Sequence, residues 1–143
     1  MNTSLQNFDQ QEIENRIFTI RDVQVMLDSH LAEMYGVDTK VLNQAVNRNV
    51  DKFPESFRFL LSEVELFNSR SQFVILNNDN KPKRGQNIKY LPYVFTEQGV
   101  AMLASVLRSE FAVQVSIRIM TAFVEMRKVI RTLINQVIYH VIK

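Results

Sequence analysis

The 143-residue chain contains no cysteine, so disulfides, thiolate metal sites and a cysteine nucleophile are excluded. Glycine occurs only three times, which leaves a phosphate-cradling loop without the residues it needs. Gly-x-Ser-x-Gly and His-Glu-x-x-His are also missing. No stretch approaches the roughly 20 apolar residues needed to cross a bilayer. Residues 1–9 lack a basic segment followed by an apolar core, so a secretory signal is not expected. These absences lead to the expectation of a cytoplasmic protein with no membrane partner.

The chain is 46% hydrophobic and 22% charged, which suits one globular domain with a buried core. Its formal charge of +2 is unevenly spread. Residues 1–38 hold seven acids and two bases, giving −5, and residues 39–143 hold fifteen bases and eight acids, giving +7. No acid occurs between Asp79 and Glu97, where Lys81, Lys83, Arg84 and Lys89 all fall. A local excess of one sign can attract a polyanion over about a Debye length, roughly 10 Å, or can simply be a solvated surface.

Residues 1–11 are polar and aperiodic, as expected of a disordered tail. The β-branched runs Ile17–Ile20 and Val23–Leu27 predict a hairpin turning at Arg21-Asp22. Asp28 suits an N-cap for a helix from Ser29 to Tyr35 that Gly36 ends. A second helix follows over Thr39–Asn49, capped by Asp38 or Thr39, with Val41, Leu42, Ala45 and Val46 on its packed side. Phe57–Leu61 is expected to be a strand. Ser62 and Glu65 form a capping box for a short helix ending at Phe67. Phe73–Leu76 and Ile88–Phe95 predict a second hairpin, with Pro92 placing part of it at a sheet edge. Thr96 starts a helix to about Ser109, and Glu110–Ile142 is free of glycine and proline and reads as one long helix. The fold expected is α+β. A small winged-helix-like domain over residues 12–109 is followed by a long C-terminal helix over 110–143.

Within that frame, two short helices around Gly36-Val37 have helix-turn-helix spacing. Ala32 allows a close helix crossing, and Val37, Leu42 and Ala45 fall where buried apolar residues are needed. This leaves Thr39, Lys40, Asn43, Gln44, Asn47 and Arg48 facing outward. Amides can bond adenine in two-pronged fashion, arginine can do so with guanine, and threonine and lysine suit phosphates or base edges. The same spacing also serves a plain helical hairpin of the core. Lys81, Lys83 and Arg84 would form the tip of the second hairpin, with Lys89 on its returning strand. That tip is either a wing along the DNA backbone or an exposed loop kept soluble by its charge.

In the last helix Ala112, Val115, Ile119, Ala122, Met126, Val129 and Leu133 recur at alternating spacings of three and four, a coiled-coil seam. Val115, Ile119, Ala122, Met126, Val129 and Leu133 are the residues expected to join two copies. Ile130, Ile134, Val137 and Val141 widen this apolar face. Catalytic residues are not expected. His30 reads as an exposed or capping residue, His140 lies far away in the terminal helix, and Glu63 and Glu65 do not share a helical face. No metal site and no cofactor are expected, and a metal-dependent nuclease would need converging acids that the pattern does not single out.

The runs Val25–Val37 and Thr39–Asn49 resemble the "ORF-six N-terminal" domain of phage antirepressor-type proteins, within the wider KilA-N group of DNA-binding modules. Phe53-Pro54-Glu55-Ser56-Phe57-Arg58-Phe59 is similar to that family's Arg-Phe-Pro-x-x-Phe block, with Lys52 where the family often has arginine. Leu91–Leu103 resembles its C-terminal signature. The resemblance spans about residues 15–127. It implies DNA binding in a phage or prophage setting. Family members often carry a variable C-terminal domain, where this chain has a long helix. The contact residues named above rest on spacing, not on the family.

Two functions are therefore expected. The first is a non-enzymatic, sequence-selective double-stranded DNA-binding domain that works as a homodimer in transcriptional regulation. The second is an antirepressor module that binds a phage repressor through its C-terminal helix without touching DNA.

Overall fold

The computed structural model describes residues 8–76 and 91–142, with the backbone alone over 71–76. The described chain opens with helix α1 (Gln10–Glu14). Its capping box has Asp9 Oδ1 accepting from Glu12 N at 2.8 Å and Glu12 Oε1 accepting from Asp9 N at 3.2 Å. Phe8 and Ile13 are buried, and Arg118 donates to Phe8 O at 2.7 Å. Residues 8–11, expected in a disordered tail, are thus held in place. A single buried phenylalanine in polar surroundings gives no periodic signal.

β1 (Ile17–Ile20) and β2 (Val23–Leu27) form the expected hairpin, paired from Ile17–Met26 to Ile20–Val23. Arg21 and Asp22 at its turn both have positive φ, 56° and 61°, which matches the right-handed twist of the strands. Holding two non-glycine residues there costs about 1–2 kcal/mol each. Arg21 is fixed from the other side. Its Nε and Nη2 donate to Glu65 at 2.7 and 3.0 Å, and its guanidinium lies 4.2 Å from the Phe59 ring centroid. The Arg21 hydrogen bond, aided by the Ser62 N–H, holds the Glu65 carboxyl down at about 2.

β3 (Arg58–Leu60) and β4 (Tyr93–Phe95) complete an antiparallel sheet in the order β1-β2-β4-β3. β4 is therefore interior, and Pro92 does not mark a sheet edge. Pro92 precedes the strand, where no ladder N–H is required, and its carbonyl accepts from Leu61 N at 3.0 Å.

The Ser62–Glu65 box forms, with Ser62 N donating to Glu65 Oε1 at 2.8 Å and Glu65 N donating to Ser62 Oγ at 3.1 Å. The helix it starts, α4 (Glu63–Leu76), runs past Phe67 and takes in Phe73–Leu76, which were expected to be a strand. Residues 63–76 contain no glycine or proline, so a helix nucleated by the box meets nothing local to stop it. The expected second hairpin loses its first strand. Lys81, Lys83, Arg84 and Lys89, assigned to that hairpin, lie outside the described residues. What the fold retains of the expectation is α+β composition, an N-terminal hairpin leading into a helix pair, and a long C-terminal helix.

The sheet has an apolar layer on each face. Phe18, Val25, Leu27, Phe59 and Val94 lie on one, with Leu66 of α4 packed against them. Met26 and Phe95 lie on the other, joining the main core with α2 (Asp28–Tyr35), α3 (Thr39–Asn47), α5 (Glu97–Leu107) and α6 (Glu110–Ile142). Thr96 caps α5, accepting from Gly99 N at 3.3 Å and donating to Ser56 O at 2.8 Å. Gly99 is required by close approach, because a Cβ there would stand 2.1 Å from Phe57 O.

The first half of α6 packs on α5, α1 and α2. Val115, Ile119 and Ala122 are fully buried by the chain's own core, and Met126 is half-buried. This corrects two expectations. The domain does not end at residue 109, and those three residues are not free to join two copies. Tyr35 Oη and Ser116 Oγ share a buried hydrogen bond of 2.6 Å across this contact. Burial pushes the Tyr35 phenol up to about 12. From Arg127 to Ile142 every residue is exposed, so α6 projects roughly 24 Å beyond the domain.

Candidate nucleic-acid interface

The turn between α2 and α3 is set by Gly36, at φ 73° and ψ 33°. Val37 N donates to Ala32 O at 3.0 Å and Gly36 N to Glu33 O at 3.3 Å, the paired bonds of a Schellman stop. A β-carbon in that conformation costs about 1–2 kcal/mol. Ala32 is buried at the crossing. After the turn, Leu42 and Val46 anchor α3 to the core, both fully buried.

The opposite side of α3 carries Lys40, Val41, Gln44, Asn47 and Arg48, all exposed, with Thr39 half-buried. Val41, Gln44 and Arg48 follow one another at helical spacing and make one stripe. Val41 is 50% exposed and Val37 36%, although both were expected to pack inward. A nine-residue helix lying on the domain surface buries a narrow strip, and Leu42 and Val46 fill it. The helix ends at Asn47, with Arg48 as its C-cap, two residues short of the expected Asn49. Lys40 and Arg48 supply positive charge, while Asp38 and Asp51 flank the stripe.

Asn43, expected to face outward, is half-buried and bonded inward. Its Nδ2 donates to Asp28 Oδ2 at 2.9 Å, and its Oδ1 is buried without a partner. Asp28 is 5% exposed and accepts also from Ser29 N at 2.7 Å and Tyr93 N at 3.3 Å. It is the first residue of α2 rather than its N-cap, which is Leu27. Burial pushes the Asp28 carboxyl above its ordinary value, against the pull of Asn43, the two backbone N–H groups and the nearby Arg58.

Arg58 of β3 is 8% exposed and lies 4.0 Å from the Tyr93 ring centroid. Its Nη1 donates to Asn47 Oδ1 at 3.4 Å, and its Nε has no partner. Burial lowers its pKa, opposed by Tyr93 and Asp28. Asp28, Asn43, Arg58 and Asn47 thus form a polar seam beneath the flank of α3. Spacing arguments missed Arg58, and the available signal was one cation inside the apolar run Phe57–Leu61. His30, expected to be exposed or capping, is buried beside Phe18, with ring centroids 6.2 Å apart.

Among the described residues no group of three or more acids and histidines could hold a metal ion. No helix among them is long and apolar enough to cross a membrane. No curated protein and no solved structure matches the chain. The model of the ORF6N domain matches residues 15–106. That span takes in all four strands, the α2–α3 pair and nearly all of α5. The chain belongs to the ORF6N domain family.

Proposed function

We propose that this chain is a non-enzymatic, sequence-selective double-stranded DNA-binding domain of a phage- or prophage-type regulator. The outward stripe of α3 enters the major groove. Gln44, Asn47 and Arg48 read base edges there, Val41 offers an apolar contact to a thymine methyl, and Lys40 and Thr39 meet phosphate. The observation that carries this reading is the exposure of Lys40, Gln44, Asn47 and Arg48 on a short helix whose opposite side is locked into the core behind a left-handed glycine turn. Lys81, Lys83, Arg84 and Lys89 add phosphate contacts. Two copies pair through residues 129–142 of α6 and present two reading helices to a two-fold-symmetric site. Selection of duplexes from a random pool tests this. A defined palindrome is expected, and Gln44→Ala with Arg48→Ala should abolish its enrichment.

A second reading is supported by the projecting end of α6, where Val129 is 49% exposed and Leu133 55%. Here that apolar face captures a repressor protein and the domain is only its scaffold. The scaffold reading expects no enriched duplex, and partner capture that survives the Gln44 and Arg48 changes but fails in Val129→Glu with Leu133→Glu.

A further inference from the structure

Asn47 Oδ1 accepts from Arg58 Nη1. A guanidinium only donates, so the amide atom that faces it is oxygen and not nitrogen. Nδ2 therefore occupies the other arm of the amide, and among the described residues it meets no acceptor. Asn47 is exposed, whereas Arg58 is a buried strand residue stacked on Tyr93 and is held in place. The contrast with Asn43 is direct, since that amide spends its donor inward on Asp28.

We propose that Asn47 reads DNA in one sense only, donating from Nδ2 to a base-edge acceptor, and that Arg58 is the positioning residue that fixes this sense. The inference deepens the DNA-binding reading and rests on it. In the major groove guanine offers the acceptors N7 and O6, and thymine offers O4. Adenine offers the acceptor N7, and the Asn47 oxygen keeps a second lone pair for the adenine N6 donor. Cytosine presents an N4 donor and has nothing for Nδ2 to bond. The base facing Asn47 therefore presents an acceptor in the major groove, and cytosine is disfavoured.

Duplex selection with the full chain, repeated with Asn47→Ala, identifies the position Asn47 reads. It is the position whose preference falls by about tenfold. A base with a major-groove acceptor, and not cytosine, is expected there in the unaltered chain. Asn47→Asp keeps an acceptor towards Arg58 but replaces the outward donor with an acceptor, so the preference should move away from guanine and thymine towards the donor-bearing bases cytosine and adenine. Arg58→Met frees the amide to turn its oxygen outward, and cytosine should then be admitted through its N4 donor. The two Asn47 changes are at an exposed side chain and decide the matter even if Arg58→Met does not fold. An Asn47-sensitive position that reads cytosine in the unaltered chain overturns the inference and leaves the DNA reading standing. So does an Asn47→Asp variant with unchanged preference. Failure of the unaltered chain to enrich any duplex overturns both.

Discussion

Asn43→Ala separates two roles that helical spacing alone confounds. The substitution removes one hydrogen bond to a buried carboxylate, the 2.9 Å contact with Asp28, worth about 1.5–3 kcal/mol. It also removes an amide oxygen buried without a partner, whose desolvation costs about 1 kcal/mol or more. The expected net loss is about 1–2 kcal/mol, a drop in Tm of a few degrees for a chain of this size, about 3–6 °C. Urea denaturation followed by circular dichroism at neutral pH measures it, and the denaturant slope should not change. The loss should shrink as pH falls through the raised value of Asp28, because the bond is strongest to the anion and protonation weakens it. Base preference, at matched concentrations of folded protein, should be unaffected. An unchanged midpoint together with lost discrimination at one base would refute the reasoning, since it would place Asn43 against DNA rather than against Asp28.

Gly99→Ala should destabilise the fold by about 2 kcal/mol or more, measured by thermal melting. The new Cβ would meet backbone at Phe57 O, and the gain of about 1 kcal/mol in helix propensity cannot offset that overlap. A melting temperature at or above that of the unaltered chain would contradict the close approach. Tyr35 has its phenol raised from 10.0 to about 12 in the fold. Its contribution is therefore fully present below pH 10 and is lost as pH rises through about 12. Alkaline denaturation of Tyr35→Phe should lack that component, and an identical alkaline profile would count against the buried Ser116 contact. Val129→Glu with Leu133→Glu should convert dimers to monomers in sedimentation equilibrium without lowering the stability of the domain, because both side chains lie beyond the packed half of α6. An unchanged assembly state would remove the paired-helix arrangement.

The parts of the fold legible in the sequence are those written locally. β-Branched composition and a two-residue turn gave β1 and β2, a left-handed glycine gave the α2–α3 turn, and the Thr96 and Ser62 side chains gave two helix starts. Misreadings arose where tertiary pairing decides. Phe73–Leu76 has strand-like composition, yet it continues a helix already nucleated ten residues earlier. Pro92 resembles an edge residue, yet it precedes an interior strand because β4 inserts between β2 and β3, a pairing no local signal records. The seam of α6 was legible as a period but not as a partner. Ala112, Val115, Ile119 and Ala122 pack on the chain's own helices, and only the stretch beyond Met126 is left uncovered. In the candidate site, the outward placement of Lys40, Gln44, Asn47 and Arg48 followed from helical spacing. The inward turn of Asn43 did not, because its partner Asp28 is fifteen residues away and Asp28 has a ready local role at a helix start.

Salt dependence of duplex affinity tests the DNA-binding claim most directly. Lys40, Lys81, Lys83, Arg84 and Lys89 in each of two copies would neutralise about ten phosphates. That gives a slope near −9 in a plot of log affinity against log salt, or a loss of about 10⁵-fold between 50 and 200 mM. Lys40→Ala should reduce the slope by about two in the dimer. A steep line, made shallower by that substitution, is the predicted result. A flat line from 50 to 200 mM with the unaltered chain would contradict DNA recognition through α3.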